Sequence, residues 1–206
     1  MTFEQQIAQG ANTMGLSLSD DAIAKLAAYH QLLIKWNKAF NLTAVRDPKE
    51  MVSRHILDSL SCLPYIKGPR LIDVGSGAGL PGIPIAICCP EVTVYSLDSN
   101  GKKTRFQNQV KAELGLDNFT VLHQRVEQCD IEPCDQVISR AFASIQDMLE
   151  WSHQLCAPNG TFLAMKGLYP DDELAALPEG ISLQSSHALT VPNTEGARHL
   201  LILGRS

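Results

Sequence analysis

A glycine-rich run between a predicted strand and a predicted helix is the part of this sequence best suited to chemistry. Asp73-Val-Gly75-Ser-Gly77-Ala-Gly79 follows the apolar run 71–74, and Asp98 stands 19 residues after Gly79, at the end of the next apolar run. Glycine permits a positive φ and lets a ligand approach the bare backbone. A carboxylate at the end of the second strand typically binds the ribose hydroxyls of a nucleotide-like ligand. The pattern therefore predicts such a ligand at the glycine run, with Asp98 beside its ribose.

Two cofactors compete for this run. The stretch 77–82 matches the dinucleotide pattern G-x-G-x-x-G, which would indicate an NAD(P)-dependent reductase. Its first glycine lies three residues past the strand, however, and Pro81 would stiffen the turn that should hold pyrophosphate. The frame that begins at Asp73 resembles the first motif of class I S-adenosylmethionine-dependent methyltransferases, where a carboxylate near the methionine's ammonium is favourable. We therefore expect S-adenosylmethionine as the cofactor and keep the reductase as an alternative.

The elements that would position this site follow from hydrophobic periodicity. Residues 1–65 carry two helical patterns, 19–36 and 48–64, and no strand signal, so they are predicted to form a helical extension. Residues 66–206 alternate between strands and helices, which is typical of a mostly parallel sheet with helices on both faces. The predicted strands are 71–74, 92–97, 119–122, 135–139, 161–165 and two runs within 182–203, and the predicted helices are 82–88, 102–114 and 145–156.

This alternation predicts an α/β fold, and the resemblance of the glycine run to the first motif of class I methyltransferases implies the Rossmann-like fold of that class. The sheet should have seven strands, and residues 66–206 should form one compact S-adenosylmethionine-dependent methyltransferase domain. In open sheets of this kind the ligand lies outside the carboxyl ends of the strands. That rule brings the glycine run, Asp98, and the residues after the third and fourth strands to one edge. Glu127 follows the third strand and Arg140 ends the fourth, so we expect both at the site.

Net charge alone argues mildly against a nucleic-acid partner, whereas the distribution of charge favours one. The 206 residues carry 17 Lys and Arg against 22 Asp and Glu, a net charge of −5. Residues 35–111 hold 11 basic and 6 acidic side chains, a net charge of +5, and the remainder is acidic. A basic segment of this kind indicates a polyanionic partner, because cationic side chains bind phosphates without reading sequence. The expected phosphate contacts are Lys35, Lys38, Arg46, Lys49, Arg54, Lys102, Lys103, Arg105 and Lys111.

Other motifs limit the remaining function classes. The six cysteines form no CxxC pair, and His153 with Cys156 has no second pair to complete a zinc site, so we expect free thiols and no metal. The sequence carries neither a signal-peptide pattern nor an apolar run long enough for a membrane helix. We therefore expect a cytoplasmic protein with no membrane partner. Since no long exposed apolar helix is apparent, we expect a monomer.

The residues after the fourth strand narrow the methyl acceptor. Methylases of exocyclic amines carry an Asn/Asp-Pro-Pro-aromatic motif there, whereas this chain reads Ser-Arg140-Ala-Phe. Cys134 precedes the fourth strand, which argues against a pyrimidine C5 methylase with a cysteine nucleophile. The remaining acceptors include one that is already nucleophilic, such as guanine N7, for which Arg140 would orient the reactants and neither His55 nor His123 would be needed as a base. A small-molecule methyltransferase stays as the alternative, although it would not need the basic segment.

Four motifs in order carry a resemblance over nearly the whole chain. They are Trp-Asn-Lys-Ala-Phe-Asn-Leu-Thr at 36–43, Arg-His-Ile-Leu-Asp-Ser at 54–59, the glycine run 73–82, and Ser-Arg-Ala-Phe-Ala at 139–143. Together they closely resemble the glucose-inhibited division protein B family. The resemblance implies an enzyme that uses S-adenosylmethionine to methylate N7 of a guanine in 16S ribosomal RNA. Its partner would be ribosomal RNA or the small ribosomal subunit.

The resemblance also implies roles for individual residues, which join those expected from the glycine run and from the distribution of charge. The expected cofactor contacts are Asp73, Gly75, Gly77, Gly79, Leu80, Asp98, Val126, Glu127 and Arg140. The expected RNA contacts are Asn41, Arg54, His55, Lys102, Lys103, Arg105 and Arg125, and Arg140 and Lys166 are the candidates for positioning the reactants. His55, Asp58 and Ser59 belong to the polar residues that this family gathers around its cleft. His55 and Asp58, three apart on a helix, fit equally well as a buried polar pair that fixes the helix to the sheet.

Overall fold

A seven-stranded sheet organises the chain, here seen in a computed structural model that describes residues 1–206. The strand order is β3-β2-β1-β4-β5-β7-β6, with β7 antiparallel to both of its neighbours and the first five strands parallel. The strands are β1 Arg70–Val74, β2 Thr93–Asp98, β3 Phe119–His123, β4 Cys134–Ser139, β5 Cys156–Lys166, β6 Ile181–Ala188 and β7 His199–Arg205. The chain reverses direction across the sheet between β1 and β4, which places the topological switch point beside the glycine run.

The structure contains eight α-helices, of which the first and the last were not singled out from the sequence; the others lie where the periodicity predicts them, with three differences. They are α1 Phe3–Thr13, α2 Asp20–Phe40, α3 Pro48–Met51, α4 Asp58–Leu60, α5 Gly82–Cys88, α6 Gly101–Leu114, α7 Ile145–Ser152 and α8 Asp171–Ala175. Helix α2 continues past the predicted end to a left-handed cap at Asn41. A π-helical turn, Val52–Leu57, joins α3 to α4. The predicted helix 145–156 is four residues too long, since a 3₁₀ turn follows α7 and Cys156 already pairs with Cys134 in the sheet.

Helices cover both faces of the sheet, so the predicted fold class is confirmed. One buried cluster lies under α1, α2, α5 and α6, and a second lies under α7. Alternate residues of β1 supply both clusters, with Leu71 in the first and Ile72 in the second, as the two-residue period of a strand requires. The helices of residues 1–65 share the first cluster with the sheet. Tyr29 on α2 is fully buried there and donates a hydrogen bond to the Ala78 carbonyl, 2.8 Å away.

Candidate active site

The glycine run leaves β1 as a tight loop because its three glycines adopt conformations that other residues avoid. Gly75, Gly77 and Gly79 all have positive φ, at 68°, 58° and 90°. A Cβ on Gly75 would also lie 2.8 Å from the Ala141 Cβ, closer than side-chain carbons approach. The loop therefore needs glycine both for its backbone and for its close approach to the strand-four loop. Gly75 is exposed at the edge of the sheet, where a ligand can reach its backbone.

A closed ring of side chains fixes this loop to β2 and α6, and the sequence analysis missed it. The Ser96 hydroxyl lies 2.6 Å from both the Ser76 hydroxyl and the Gln107 carbonyl oxygen. The Gln107 amide donates to the Ser76 hydroxyl at 2.9 Å and to the Gly77 carbonyl at 2.7 Å. All three side chains are buried and each is satisfied, which makes the loop rigid. A polar Gln on the apolar face of a predicted helix was the one available signal.

Asp98 holds the outer side of the glycine loop. Its Oδ2 accepts a hydrogen bond from the Gly77 amide at 2.8 Å, and its Oδ1 accepts one from the Asn100 amide at 2.8 Å. Both bonds leave lone pairs free, since a carboxylate offers about four acceptor positions. The side chain stays partly exposed and lines a cavity. The structure therefore places Asp98 beside the glycine loop, where the sequence predicted it.

That cavity, the loop cavity, has a volume of about 350 Å³ and lies at the carboxyl ends of β1 and β2, as the sheet topology requires. Four of the predicted cofactor contacts line it: Gly75, Asp98, Val126 and Glu127. Arg125, predicted as an RNA contact, lines the same cavity. The remaining lining residues are Val74, Leu97, Ser99, Gln124, Ala141, Phe142 and Trp151. Gly77, Gly79 and Leu80 lie behind this surface, in the loop that shapes it.

Two aromatic rings close one side of the loop cavity. Phe142 and Trp151 meet edge to face with ring centroids 5.8 Å apart, and Trp151 is 42% exposed. An exposed tryptophan beside a cavity offers a flat apolar surface to a ligand ring. Neither ring was singled out from the sequence, because α7 could be placed only approximately and its exposed face was not known.

Asp73 lies beneath the glycine loop and is fully buried. Its Oδ2 accepts a hydrogen bond from the Gly82 amide at 2.8 Å, at the start of α5, while its Oδ1 has no partner. Burial raises the pKa of Asp73 well above its usual range, against the Gly82 hydrogen bond and the Arg140 charge, which lower it. A buried carboxylate oxygen without a donor is costly, so this position is suited to a ligand that brings a positive charge or a donor.

Arg140 turns away from the loop cavity and lines a second cavity of about 250 Å³, the arginine cavity. The two cavities share no lining residue, although Arg140 and Ala141 are adjacent in sequence and line one each. In the arginine cavity Asp58, almost completely buried, faces two arginines. Arg198 bonds it through both arms of the guanidinium, at 2.7 Å each, and Arg140 Nη1 lies 3.1 Å from its Oδ2. Arg198 was missed by the sequence analysis, since nothing local marks it.

His55 also lines the arginine cavity and is neutral. Its Nε2 lies 2.7 Å from the Thr43 hydroxyl, and its Nδ1 lies 3.1 Å from the Arg54 carbonyl, which must accept. Nε2 is therefore the acceptor of the Thr43 hydroxyl proton. Burial and the nearby Arg140 charge lower the pKa of His55 to about 4. His55 and Asp58 do not pair with each other, because Asp58 is paired with Arg198 and Arg140 instead.

Lys166 lies outside both cavities. Its ammonium pairs with Glu173 at 3.2 Å and donates to the Ala143 carbonyl at 3.2 Å. Glu173 in turn accepts a hydrogen bond from the Ile145 amide at 2.7 Å. The Lys166–Glu173 pair thus fixes the loop between Arg140 and α7, and any effect of Lys166 on the reactants would act through that loop.

The predicted RNA contacts divide into free and occupied groups. Lys102 and Arg105 are exposed on the first turns of α6, beside Asp98, and Lys103 is half-buried there; Arg105 Nε also donates to the Gly101 carbonyl at 3.3 Å. Cations at a helix N-terminus oppose its dipole, so this placement is unfavourable for the helix itself. Other basic residues bond to their own neighbourhood: Arg46 bonds the Asn41 side chain, which is exposed, and Lys111 bonds the Phe119 carbonyl. Lys111 is thereby a structural residue, and its predicted phosphate contact is not supported.

The structure shows neither a metal centre nor a spanning helix. No group of three or more His, Cys, Asp and Glu side chains is placed to hold a metal ion, and all six cysteines are free. No helix combines the length and the apolar character needed to cross a membrane.

Comparisons with known proteins agree with this geometry. The family model described as "rRNA small subunit methyltransferase G" (GidB) matches residues 22–201. The ribosomal RNA small subunit methyltransferase G of Pseudomonas syringae pv. syringae is 59% identical over 203 residues, covering 98% of this chain and 95% of that protein. The homologous protein of Marinomonas sp. is 53% identical, covering 100% of this chain and 99% of its own length.

Solved structures of low identity support the fold. The mitomycin 7-O-methyltransferase MmcR superposes with a TM-score of 0.65 at 13% identity, over 100% of this chain and 68% of that one. The strand order, the glycine loop and these matches agree with one another. The chain belongs to the rRNA small subunit methyltransferase G family and has the class I methyltransferase fold.

Proposed function

We propose that this protein is an S-adenosylmethionine-dependent methyltransferase that methylates N7 of a guanine in 16S ribosomal RNA of the small subunit. The observation that carries the proposal is the pair of cavities at the carboxyl ends of the parallel strands, one lined by Gly75 and Ala141 and the other by Arg140. Family membership supports the ribosomal substrate.

The residues of the loop cavity suit the proposed cofactor. Asp98 presents free carboxylate lone pairs to ribose hydroxyls, and Phe142 with Trp151 presents ring surface to an adenine. Asp73 has one buried oxygen in need of a donor, which the methionine ammonium supplies if it approaches from the glycine loop. When bound, the cofactor would supply an electrophilic methyl group on its sulfonium.

The protein then has to position the acceptor rather than activate it. Guanine N7 carries a lone pair and is nucleophilic without deprotonation, so no general base is required. His55, with its pKa lowered to about 4, stays neutral and serves as a hydrogen-bonding residue. Holding two reactants in a near-attack geometry can contribute roughly 7–11 kcal/mol to lowering the barrier. Arg140 lines the arginine cavity and is next in sequence to Ala141 of the loop cavity, and we propose that it orients the acceptor.

The exposed cations of α6 support a large anionic substrate. Lys102 and Arg105 lie on the same edge of the sheet as Asp98, so RNA on this edge would cover the loop cavity. We propose that ribosomal RNA or the small ribosomal subunit is the partner, that the protein acts as a monomer, and that it works in the cytoplasm.

Mapping methylated nucleotides in 16S ribosomal RNA tests this function. RNA from cells that lack the protein should have lost one N7-methylguanine, and the purified protein with S-adenosylmethionine should restore it. An unchanged methylation map, together with methyl transfer to a small molecule, would favour the small-molecule alternative.

A second measurement tests the cofactor. S-adenosylmethionine or its demethylated product should raise the melting temperature, because ligands that bind only the folded state stabilise it. NADH should not. Stabilisation by NADH alone would instead support the NAD(P)-dependent reductase.

A further inference from the structure

We propose that the arginine cavity is a phosphate subsite, in which Arg198, Arg54 and Arg140 bind one phosphodiester of the nucleic-acid substrate next to the methyl-transfer site. This proposal rests on the proposed function and adds a site for the RNA backbone to it. It makes Arg198, in the loop directly before the last strand, a substrate-binding residue.

One guanidinium of the arginine cavity lacks a hydrogen-bond partner. Arg198 uses both of its arms on the two oxygens of Asp58, at 2.7 Å each, in the bidentate geometry that carboxylates favour. Arg140 Nη1 lies within ion-pair distance of the same carboxylate, at 3.1 Å, but is not aligned for a hydrogen bond and has no other partner. Arg140 therefore presents a buried charged donor that lacks an acceptor, which is costly unless a ligand provides one.

The net charge of the arginine cavity favours an anionic ligand. The cavity is lined by three arginines and two carboxylates, Asp58 and Glu195, so it carries one excess positive charge when empty. His55 adds none, because it is neutral. Only one of the eight lining residues, Ala197, is hydrophobic, so the cavity does not suit an apolar ligand. A phosphodiester brings one negative charge and only acceptor oxygens, which matches both the excess charge and the free donor.

The position of the arginine cavity makes its side chains accessible to RNA. Arg54 is exposed and its only ion-pair partner, Glu50, is 3.9 Å away, so its guanidinium is available to a ligand. Arg140 joins this cavity to the loop cavity through its neighbour Ala141. A phosphate bound here would thus hold the RNA strand on the side of Arg140 that faces away from the loop cavity. Asp58 keeps Arg198 and Arg140 oriented before the phosphate arrives, so the site is preorganised.

Salt dependence of RNA binding tests the subsite, because each phosphate contact adds about 0.7 to 0.9 to the slope of log affinity against log salt. Because the three arginines share one phosphate, Arg54→Gln and Arg198→Gln should each reduce the slope for unmethylated 16S ribosomal RNA by up to that amount, and should leave the dissociation constant of S-adenosylmethionine unchanged. Arg205→Gln is the matched control: Arg205 lies at the far end of β7, lines neither cavity and bonds backbone carbonyls, so the slope of this variant should equal that of the wild type.

The outcomes separate the subsite from the proposed function. Wild-type slopes in both cavity variants would overturn the subsite even if methyl transfer to RNA is intact. Reduced slopes in a protein that methylates no RNA would retain the subsite and overturn the proposed function, and absence of RNA binding by the wild type would overturn both. If Arg198→Gln fails to fold, Arg54→Gln decides the test alone, since its side chain is 59% exposed and contributes little to the core.

Discussion

The two cavities at the edge of the sheet are built in opposite ways. The loop cavity is shaped by backbone: three glycines, two amides bonded to Asp98, and a buried ring of Ser76, Ser96 and Gln107. The arginine cavity is shaped by charged side chains around Asp58, with almost no apolar lining. The loop cavity therefore offers a rigid surface of fixed shape. The arginine cavity instead offers an excess positive charge that an anionic ligand would neutralise.

The two cavities also differ in the sequence separation of the residues that form them. The glycine loop, Asp98 and their supporting residues lie within 73–107, so this part of the loop cavity comes from one β-α-β-α stretch, and the rest of its lining comes from 124–151. Asp58 and Arg198 are 140 residues apart in sequence. Damage to the loop cavity should therefore alter ligand binding, whereas damage to the arginine cavity should also loosen the contact between the helical extension and the C-terminal hairpin.

Asp58→Ala should produce the largest effect and should appear in stability. It removes the shared partner of two arginines, and the loss of one partner of a buried ion pair costs about 3 kcal/mol. Urea unfolding measures this directly. Arg105→Ala, an exposed cation on α6, is the control and should change stability by less than about 0.5 kcal/mol. A similar small change for Asp58→Ala would mean that the arginine cavity is not a structural contact.

Asp98→Ala should come next, with its effect on cofactor binding. Hydrogen bonds to a charged group contribute about 1.5–3 kcal/mol, so the affinity for S-adenosylmethionine should fall by about tenfold or more. Isothermal titration measures the change. Asp117→Ala, an exposed acid after α6 that lines neither cavity, should bind as the wild type does. Unchanged affinity in Asp98→Ala would remove Asp98 from the site.

The pH dependence of stability isolates one residue of the arginine cavity. The pKa of His55 is lowered from 6.5 to about 4 on folding, so between these values the unfolded state binds more protons. The stabilisation is present above pH 6.5 and is lost as the pH falls towards 4; from pH 7 to pH 5 the loss is about 2 kcal/mol. Urea unfolding of His55→Gln should lack this share of the acid destabilisation.

A second buried histidine, His30, contributes to the pH dependence of stability in both the wild type and His55→Gln. Burial also lowers the pKa of His30, which therefore adds to the acid destabilisation of both proteins. Equal pH profiles for the wild type and His55→Gln would contradict the neutral, buried state of His55. His153→Gln, whose ring is exposed, should keep the wild-type profile.

Charge reversal on α6 should have the smallest effect on the protein itself. Lys102→Glu with Arg105→Glu should slow methylation of RNA several-fold at low salt and leave cofactor affinity unchanged, because exposed cations steer a polyanion without shaping either cavity. The same reversal should raise the melting temperature slightly, since acids are favourable at a helix N-terminus. Normal turnover with RNA would place the basic surface elsewhere.

Much of the fold could be predicted because its signals are local. Glycine spacing, strand length and the position of Asp98 all lie within short windows, and the predicted helix 82–88 matches α5 in both bounds. The helix end at 152 was missed because the stretch 153–156 continues the apolar spacing, and pairing of Cys156 with Cys134 decides it. The π-helical turn at 52–57 has no sequence signature, yet it contains His55 and leads directly into Asp58, both of which face the arginine cavity.

The sequence by itself determined the parallel sheet, the glycine loop, the acid beside it and the basic middle segment, because each depends on residue types at short spacing. Only the tertiary structure decided which charges are free and which are paired. Lys111 and Lys166 bond within the fold, whereas Lys102 and Arg54 remain available, and Arg198 meets Asp58 across 140 residues. The physical reason is that ion pairs and hydrogen bonds are satisfied between distant segments, at distances near 3 Å that no local pattern specifies.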